Sequence, residues 1–476
     1  MPKFASHRLQ RRVARASATG VLGEYNHSIT FRDDADFAII YGPNGVGKTR
    51  FLEIIDALSN LKVDRLQLLP FESAMLQFSD GWALTVSRES AELQELPDLK
   101  GSDVFLQDAW QELVKRHGAE VEGGRVDVLV FQLMSPDGEI RTAPAIFDLH
   151  REDDVVAWLA ATSLRDQWSA DDMPPNEVLR RMRNVAAHRQ RPDGTLPDEF
   201  VSFANSLDVR LIETQRLLTM DLDAKTGRKE RGTRPTIEAY SEIIRRQLEA
   251  DLSNSSRVGQ QLDSTFPSRM LEAGERSRLS QEEIRDRLED QRKRRARIEQ
   301  ITPLGLNAFI PLPDGDLTNA QRSVLELYLG DAEDKLNVFA PTVAKINMLE
   351  ETVNARLLGK RLTISAGEGI VIRRDRDDER IPLTALSSGE QHEIIMIFDL
   401  LFNVKRGGLV LIDEPEISLH IVWQQQFIAD VLKIAQLVGF QFVIATHSPQ
   451  IIDGFWPQAQ RLGPPTAPFE GAADGQ

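Results

Sequence analysis

Hydrophobic positions change their spacing several times along the chain, and each change marks an element. Unbroken apolar runs at Phe37-Ala-Ile-Ile-Tyr41, Leu409-Val-Leu-Ile412 and Phe442-Val-Ile-Ala445 predict strands buried on both faces. Val209-Arg-Leu-Ile-Glu-Thr-Gln-Arg216 reads as a further buried strand. Phe51-Leu-Glu-Ile-Ile-Asp-Ala-Leu58 has helical spacing instead. Ser73–Phe78 and Trp82–Val86 flank the turn Ser79-Asp-Gly81, and Val126–Phe131 and Glu139-Ile-Arg141 flank Ser135-Pro-Asp-Gly138, which predicts two hairpins. Helical spacing covers residues 91–120 and 151–204, punctuated at Met173-Pro-Pro175 and Arg191-Pro-Asp-Gly194.

Between about 234 and 300 the pattern becomes charged and helix-forming. Ile237–Leu248 is amphipathic, and Ser280–Ile298 is dense in alternating charge. An antiparallel helical arm follows, whose ~30-residue limbs would each reach about 45 Å. Residues 318–358 read as returning helices, and Arg361–Ser365 with Ile370–Ile372 as a hairpin turning at Gly367-Glu-Gly369. Leu386-Ser-Ser-Gly-Glu-Gln391 opens a helix whose apolar positions run from Ile394 through Leu401. From Pro457 to Gln476 the chain is rich in Pro, Gly and Ala, the composition of a mobile tail.

Composition narrows the function classes. The 476 residues have room for roughly three domains at about 150 residues each. A net charge of −16 argues against a surface that coats nucleic acid everywhere, while leaving room for one local basic groove. The absence of cysteine excludes disulfides, iron–sulfur clusters and thiol nucleophiles, and the eight histidines show no zinc-ligand spacing. No apolar run approaches the ~20 residues of a membrane span. The basic stretch Met1–Ser17 lacks the apolar core of a secretory signal, so a cytoplasmic protein is expected, without membrane contact.

The strand ending at Tyr41 runs into Gly42-Pro-Asn-Gly-Val-Gly-Lys-Thr49, which matches G-x-x-x-x-G-K-[ST] between a strand and a helix. Glycines there let backbone N–H groups turn inward around phosphate oxygens, and the following helix N-terminus favours the negative charge. Lys48 would face the β- and γ-phosphates, and the Thr49 hydroxyl would ligate Mg²⁺. Candidate nucleotide-binding residues are Gly42, Pro43, Asn44, Gly45, Val46, Gly47, Lys48, Thr49 and Arg50. The strand at 409–412 ends in two acids: Asp413, placed to hold Mg²⁺ through water, and Glu414, placed to deprotonate an attacking water. His447, after the strand Gln441–Thr446, can donate a hydrogen bond to a γ-phosphate. Lys48, Glu414 and His447 form the candidate catalytic set.

These pieces, in this order, resemble the ABC-type ATPases of the SMC, RecF and OLD kind. Walker A looks like residues 42–49, the signature like Leu386–Gln391, Walker B like Leu409–Glu414, the D-loop like Ile417–His420 and the switch histidine like His447. The resemblance implies an α/β fold: a mixed sheet with helices and an antiparallel β layer over the adenine side, interrupted by a helical insertion. Residues 1–220 and 351–456 would form the two halves of the head, 221–350 the insertion and 457–476 a flexible tail. It also implies a head-to-tail dimer closed by two ATP molecules, with Ser387, Ser388, Gly389, Glu390 and Gln391 acting in trans. Ser388 stands where the usual S-G-G triplet has its first glycine. Gln215 would sense Mg²⁺ and the γ-phosphate, a role its neighbour Arg216 could also fill.

Walker A and Walker B lie much further apart here than in transporter ATPases, as in SMC-like proteins whose head is split by an insertion. The compact head resembles the ATPase subunits of anti-phage systems such as Septu, PARIS and some retrons, which control a separate nuclease or toxin. Too few residues follow His447 for the Toprim nuclease domain of OLD-type proteins, so an effector is expected on another chain. Two alternatives stay open: a DNA-repair ATPase of the RecF or SMC kind, and a scaffold that holds ATP with little turnover. The basic run Arg292, Lys293, Arg294, Arg295 and Arg297 is either a solvated helix face, a nucleic-acid contact or a partner contact.

Overall fold

A computed structural model describes residues 11–32, 35–92, 125–145, 196–213, 218–222, 229–273, 277–303, 315–419 and 421–463. The expected helical segments at 91–120 and 151–204 lie largely outside these residues; at their described ends, residues 91–92 close a strand and Asp198–Ala204 is a helix. The chain divides into two compact units, residues 1–214 with 404–476, and residues 215–403.

The first unit holds two sheets. Its parallel sheet has the strand order Ala459–Arg461, Phe37–Tyr41, Gln441–Thr446, Leu409–Asp413, Val209–Ile212. The three inner strands are the predicted apolar runs and are buried along almost their whole length, as a sheet covered on both faces requires. The second sheet is antiparallel, in the order Tyr25–Thr30, Val13–Val21, Ser73–Phe78, Ala83–Glu92, Arg125–Met134, Ile140–Ala145. Both predicted hairpins lie in it, pairing Ser73 with Ser87 and Leu133 with Arg141. Helix Lys48–Ser59 supplies Phe51, Leu52, Ile54, Ile55 and Leu58 to a single apolar core that also takes residues from both sheets.

Two parts of this unit add to or overturn the sequence reading. The basic N-terminal stretch carries the strand Val13–Val21, which pairs with both Tyr25–Thr30 and Ser73–Phe78. Its inward residues are mostly small (Ala16 and Ala18), so the alternation has little hydrophobic contrast. The expected mobile tail from Pro457 begins as a turn, Trp456–Gln458, and then forms the edge strand Ala459–Arg461 against Phe37–Tyr41. Gln460 fastens that strand through its amide, which donates to the Thr30 carbonyl at 2.8 Å and accepts from the Thr30 N–H at 3.0 Å.

The second unit is largely helical. Helix Thr236–Ala273 packs on Asn319–Asn337, which also packs on Gln281–Ile301. At 38 residues the first helix would measure about 57 Å, longer than the limb read from the sequence. Its second half has little apolar periodicity and is held by polar ties. Arg269 forks onto both oxygens of Asp331 at 2.6 and 2.8 Å, and Lys335 reaches Asp263 at 2.9 Å. Ala340–Asn354 then leads into the sheet Lys360–Ser365, Gly369–Arg374, Arg380–Ile381, whose first two strands form the predicted hairpin.

Helix Ser388–Phe398 follows and runs on as a π turn over Asp399–Asn403. Its inner face buries Glu393 against Arg356, each side chain 3% exposed, and the Tyr240 hydroxyl donates to Asp399 at 2.7 Å. Removing one partner of such a pair strands a charge in low dielectric. Glu393→Ala should therefore cost about 3–5 kcal/mol of stability, measured by urea denaturation; an unchanged midpoint would contradict the ion pair.

Candidate functional site

Parallel pairing makes the strands of the first unit end at one edge, where ligands bind in open α/β sheets. Asp413 lies opposite Ala445, and Ala445 opposite Ile40, so the residues that follow these positions leave the sheet side by side. From the three central strands emerge residues 42–47, Glu414–Ser418 and His447–Ser448.

Backbone geometry explains the glycines of the first loop. Gly47 caps helix Lys48–Ser59 at φ 87°, and a Cβ there would meet Val21 Cγ1 at 2.9 Å. Gly42 is required by proximity: a Cβ would lie 2.4 Å from the carbonyl oxygen of Leu462, whose N–H donates to Tyr41 at 2.8 Å. Pro43, Asn44 and Gly45 form the exposed rim, while Val46 is buried. The Val46 carbonyl accepts from His27 Nε2 at 2.6 Å. That contact assigns the ring proton to Nε2, and burial lowers the His27 pKa. His27 escaped sequence reading because a lone histidine on a polar-looking strand carries no motif.

The helix that follows starts with N–H groups that have no partner within the helix. These belong to Lys48, Thr49 and Arg50, because the Phe51 N–H already reaches Gly47. The Arg50 side chain turns away to Glu53 at 2.6 Å, so Arg50 can offer the loop its main chain. Lys48 is 4% exposed, and its ammonium donates to the carbonyls of Gly42 at 2.9 Å and Pro43 at 3.2 Å. Burial lowers its pKa, opposed by the charges of Glu414, Asp413 and Glu416.

Lys48 also stands 3.2 Å from His447 Nδ1, and His447 Nε2 stands 3.0 Å from Glu414 Oε1. An ammonium can only donate, so Nδ1 accepts and the imidazole proton sits on Nε2, facing Glu414. All three candidate catalytic residues thus lie on one hydrogen-bonded line. Glu414 adopts a left-handed conformation, φ 42° and ψ 59°, held by its N–H bond to the Ala445 carbonyl at 2.8 Å. A side chain in that region costs roughly 1–2 kcal/mol, a strain that collects at functional sites.

Thr49 donates to both carboxylate oxygens of Asp413, at 3.1 and 3.0 Å. Burial pushes the Asp413 pKa up to about 6, against the Thr49 hydrogen bond and with help from Glu414, Glu53 and Glu416. Glu416, which sequence reading missed, points its carboxylate at the main chain beside His447. The one available signal was its place two residues after Glu414. Gln215 and Arg216 lie outside the described residues, as does His420 of the expected D-loop.

In the second unit, Ser387 is the N-cap of its helix. It accepts from the Glu390 N–H at 3.3 Å, while its own N–H donates to Glu390 at 2.9 Å. Burial raises the Glu390 pKa, but hydrogen bonds from Lys360 and Ser387 outweigh it and leave the group below its ordinary value. Ser388 is exposed and Gly389 half-buried in the first turn, and Gln391 donates to the Leu386 carbonyl at 2.9 Å. The basic run does not form one face. Arg297 binds Glu350 and Asn347, Arg294 binds Asn337, and Arg292 and Lys293 remain exposed.

Residues 223–453 match the family described as "AAA domain, putative AbiEii toxin, Type IV TA system". A curated relative, "Retron Ec83 probable ATPase" from Escherichia coli, is 33% identical over 88 residues. That match spans 16% of this chain and 16% of the relative. The Smc head domain of Pyrococcus furiosus, solved with the C-terminal domain of ScpA, aligns over 93% of this chain and 91% of its own, at 14% identity and a TM-score of 0.32. The SMC head domain from Thermotoga maritima aligns over 94% and 92%, at 11% identity and a TM-score of 0.29. The chain is an α/β protein, and over the matched stretch it resembles a retron-associated ATPase. No helix among the described residues is long and apolar enough to cross a membrane.

Asp413 makes the stability of this site depend on pH. Its folded pKa of about 6 exceeds the unfolded value of 3.8, so the folded protein holds the proton more tightly. Stability is therefore highest below the unfolded value and is lost as pH rises through 6. Asp413→Asn, which still accepts from Thr49, should stabilise the nucleotide-free protein in EDTA by on the order of 2–3 kcal/mol at pH 7.5. Near pH 4 the gain should vanish. Thermal melts at the two pH values check this, and an equal gain at both would contradict it.

Proposed function

We infer that the protein binds ATP with Mg²⁺ and hydrolyses it to ADP and phosphate. The observation that carries this reading is the line Lys48–His447–Glu414 beside the Thr49–Asp413 pair, at the mouth of a glycine-rich loop. A triphosphate seated in residues 42–50 would meet inward N–H groups, the helix N-terminus and the Lys48 ammonium. Thr49 and Asp413 offer the hard oxygen donors that Mg²⁺ prefers. Among the described residues no three acidic or histidine side chains gather to hold a metal ion by themselves, so phosphate oxygens and water would complete its shell. Held there, Mg²⁺ would supply positive charge against the phosphates.

Glu414, in its left-handed conformation at the end of the strand, accepts the proton of the attacking water. His447 donates from Nε2, and its bond from Lys48 fixes that tautomer. Ser387–Gln391 complete the pocket of a second copy, so the working form is a head-to-tail dimer. The exposed, capped start of that helix supports this, since its first-turn N–H groups can meet a phosphate. The dimer controls a separate nuclease or toxin in anti-phage defence. The toxin–antitoxin family matched by residues 223–453 and the retron relative support that setting. Direct clamping of DNA has less support, because Arg294 and Arg297 are turned to neighbouring helices.

Lys48→Ala should abolish ATP binding, measured by calorimetry. Glu414→Gln should retain ATP while its turnover falls about 10²–10⁴-fold; rapid phosphate release from that variant would remove Glu414 from its role. Mixed Lys48→Ala and Ser387→Arg proteins, each inactive alone, should recover part of the activity. No recovery despite proven subunit exchange would count against shared pockets.

A further inference from the structure

We propose that Glu416 is a positioning residue for hydrolysis: its carboxylate holds the main chain at His447 and so sets where the imidazole stands between Lys48 and Glu414. The proposal rests on the ATPase reading above and assigns the control of its histidine.

Three donors converge on one oxygen. Glu416 Oε1 accepts from the His447 N–H at 2.6 Å, the Thr446 hydroxyl at 2.8 Å and the Ser448 N–H at 3.2 Å. Thr446 is fully buried at the end of the central strand, so the carboxylate is referenced to the sheet. A second tie runs parallel: the Ser448 hydroxyl donates to Gln424 at 2.7 Å, and Gln424 in turn donates to the Leu419 carbonyl at 3.1 Å. The turn Pro415–Ser418 and the His447 loop therefore move as one piece, and the first of these continues directly from Glu414.

The chemistry selects a carboxylate. Charge strengthens each of the converging bonds. The other oxygen, Oε2, is buried and has no hydrogen-bond partner among the described residues, so an amide nitrogen there would find no acceptor. Glutamine keeps one acceptor oxygen and alanine keeps none. His447 touches both Lys48 and Glu414 with its side chain, whereas Glu416 reaches His447 through the main chain, so it acts through that residue. An error of about 1 Å in placement suffices for a ~100-fold loss of rate.

Steady-state hydrolysis by the full-length protein tests this with Glu416→Ala, Glu416→Gln, His447→Ala and the double variant Glu416→Ala/His447→Ala. Glu416→Ala should lower kcat ~100-fold and change KM for ATP by less than about threefold, with Glu416→Gln in between. The double variant should be no slower than His447→Ala, because one residue works through the other. Wild-type kcat in Glu416→Ala, a loss confined to KM, or single losses that multiply in the double variant would each overturn the proposal. Hydrogen exchange over the peptide containing Thr446–Ser448 reads the same anchor without turnover. Exchange should speed up in Glu416→Ala, and unchanged protection would overturn the proposal. If the wild-type protein fails to hydrolyse ATP, the ATPase reading falls, while the exchange result still decides whether Glu416 holds the loop.

Discussion

Asp413, Ala445 and Ile40 share one row of the parallel sheet, and the chemistry of the first unit depends on that register. Parallel strands deliver their following residues to a common edge, so segments from residues 42, 414 and 447 meet there. A slip of one residue in any strand would turn its side chains to the opposite face and separate Thr49 from Asp413. The register is protected by burial on both faces, because Ile39, Ile412 and Ile444 are fully enclosed.

The same edge concentrates negative charge. Asp413, Glu414 and Glu416 lie within four residues of one another and act on Lys48, while Glu53 on the adjoining helix is paired with Arg50 and Arg65. Such a cluster raises the cost of keeping Asp413 ionised and gives the site a reason to bind cations. The strain at Glu414 belongs to the same arrangement, since an extended conformation there would carry its carboxylate away from His447.

Much of this was legible in the chain. The apolar runs, the glycine-rich loop, both hairpins and the Asp413-Glu414 pair are short-range signals, each readable within one short stretch of chain. What stayed hidden depends on distant partners. Val13–Val21 is a strand because Ser73–Phe78 lies beside it, and its small residues give a weak alternation. Pro457–Arg461 has the composition of a tail, yet Gln460 and the edge of the sheet order it. Helix Thr236–Ala273 outruns its apolar pattern because Arg269, Asp331, Lys335 and Asp263 hold its far half. His27 carried no spacing signal and Glu416 only its place beside Glu414, because each acts on a main-chain group brought close only by folding.

The contact of Gly42 with Leu462, and the bracket between Thr30 and Gln460 that spans 430 residues, have a kinetic meaning. The glycine-rich loop and the backbone that closes behind it come from distant parts of the chain, so the rear of the loop is completed by a long-range contact. Contacts of such high order are slow to form, so the rear of the loop belongs with the late contacts of folding.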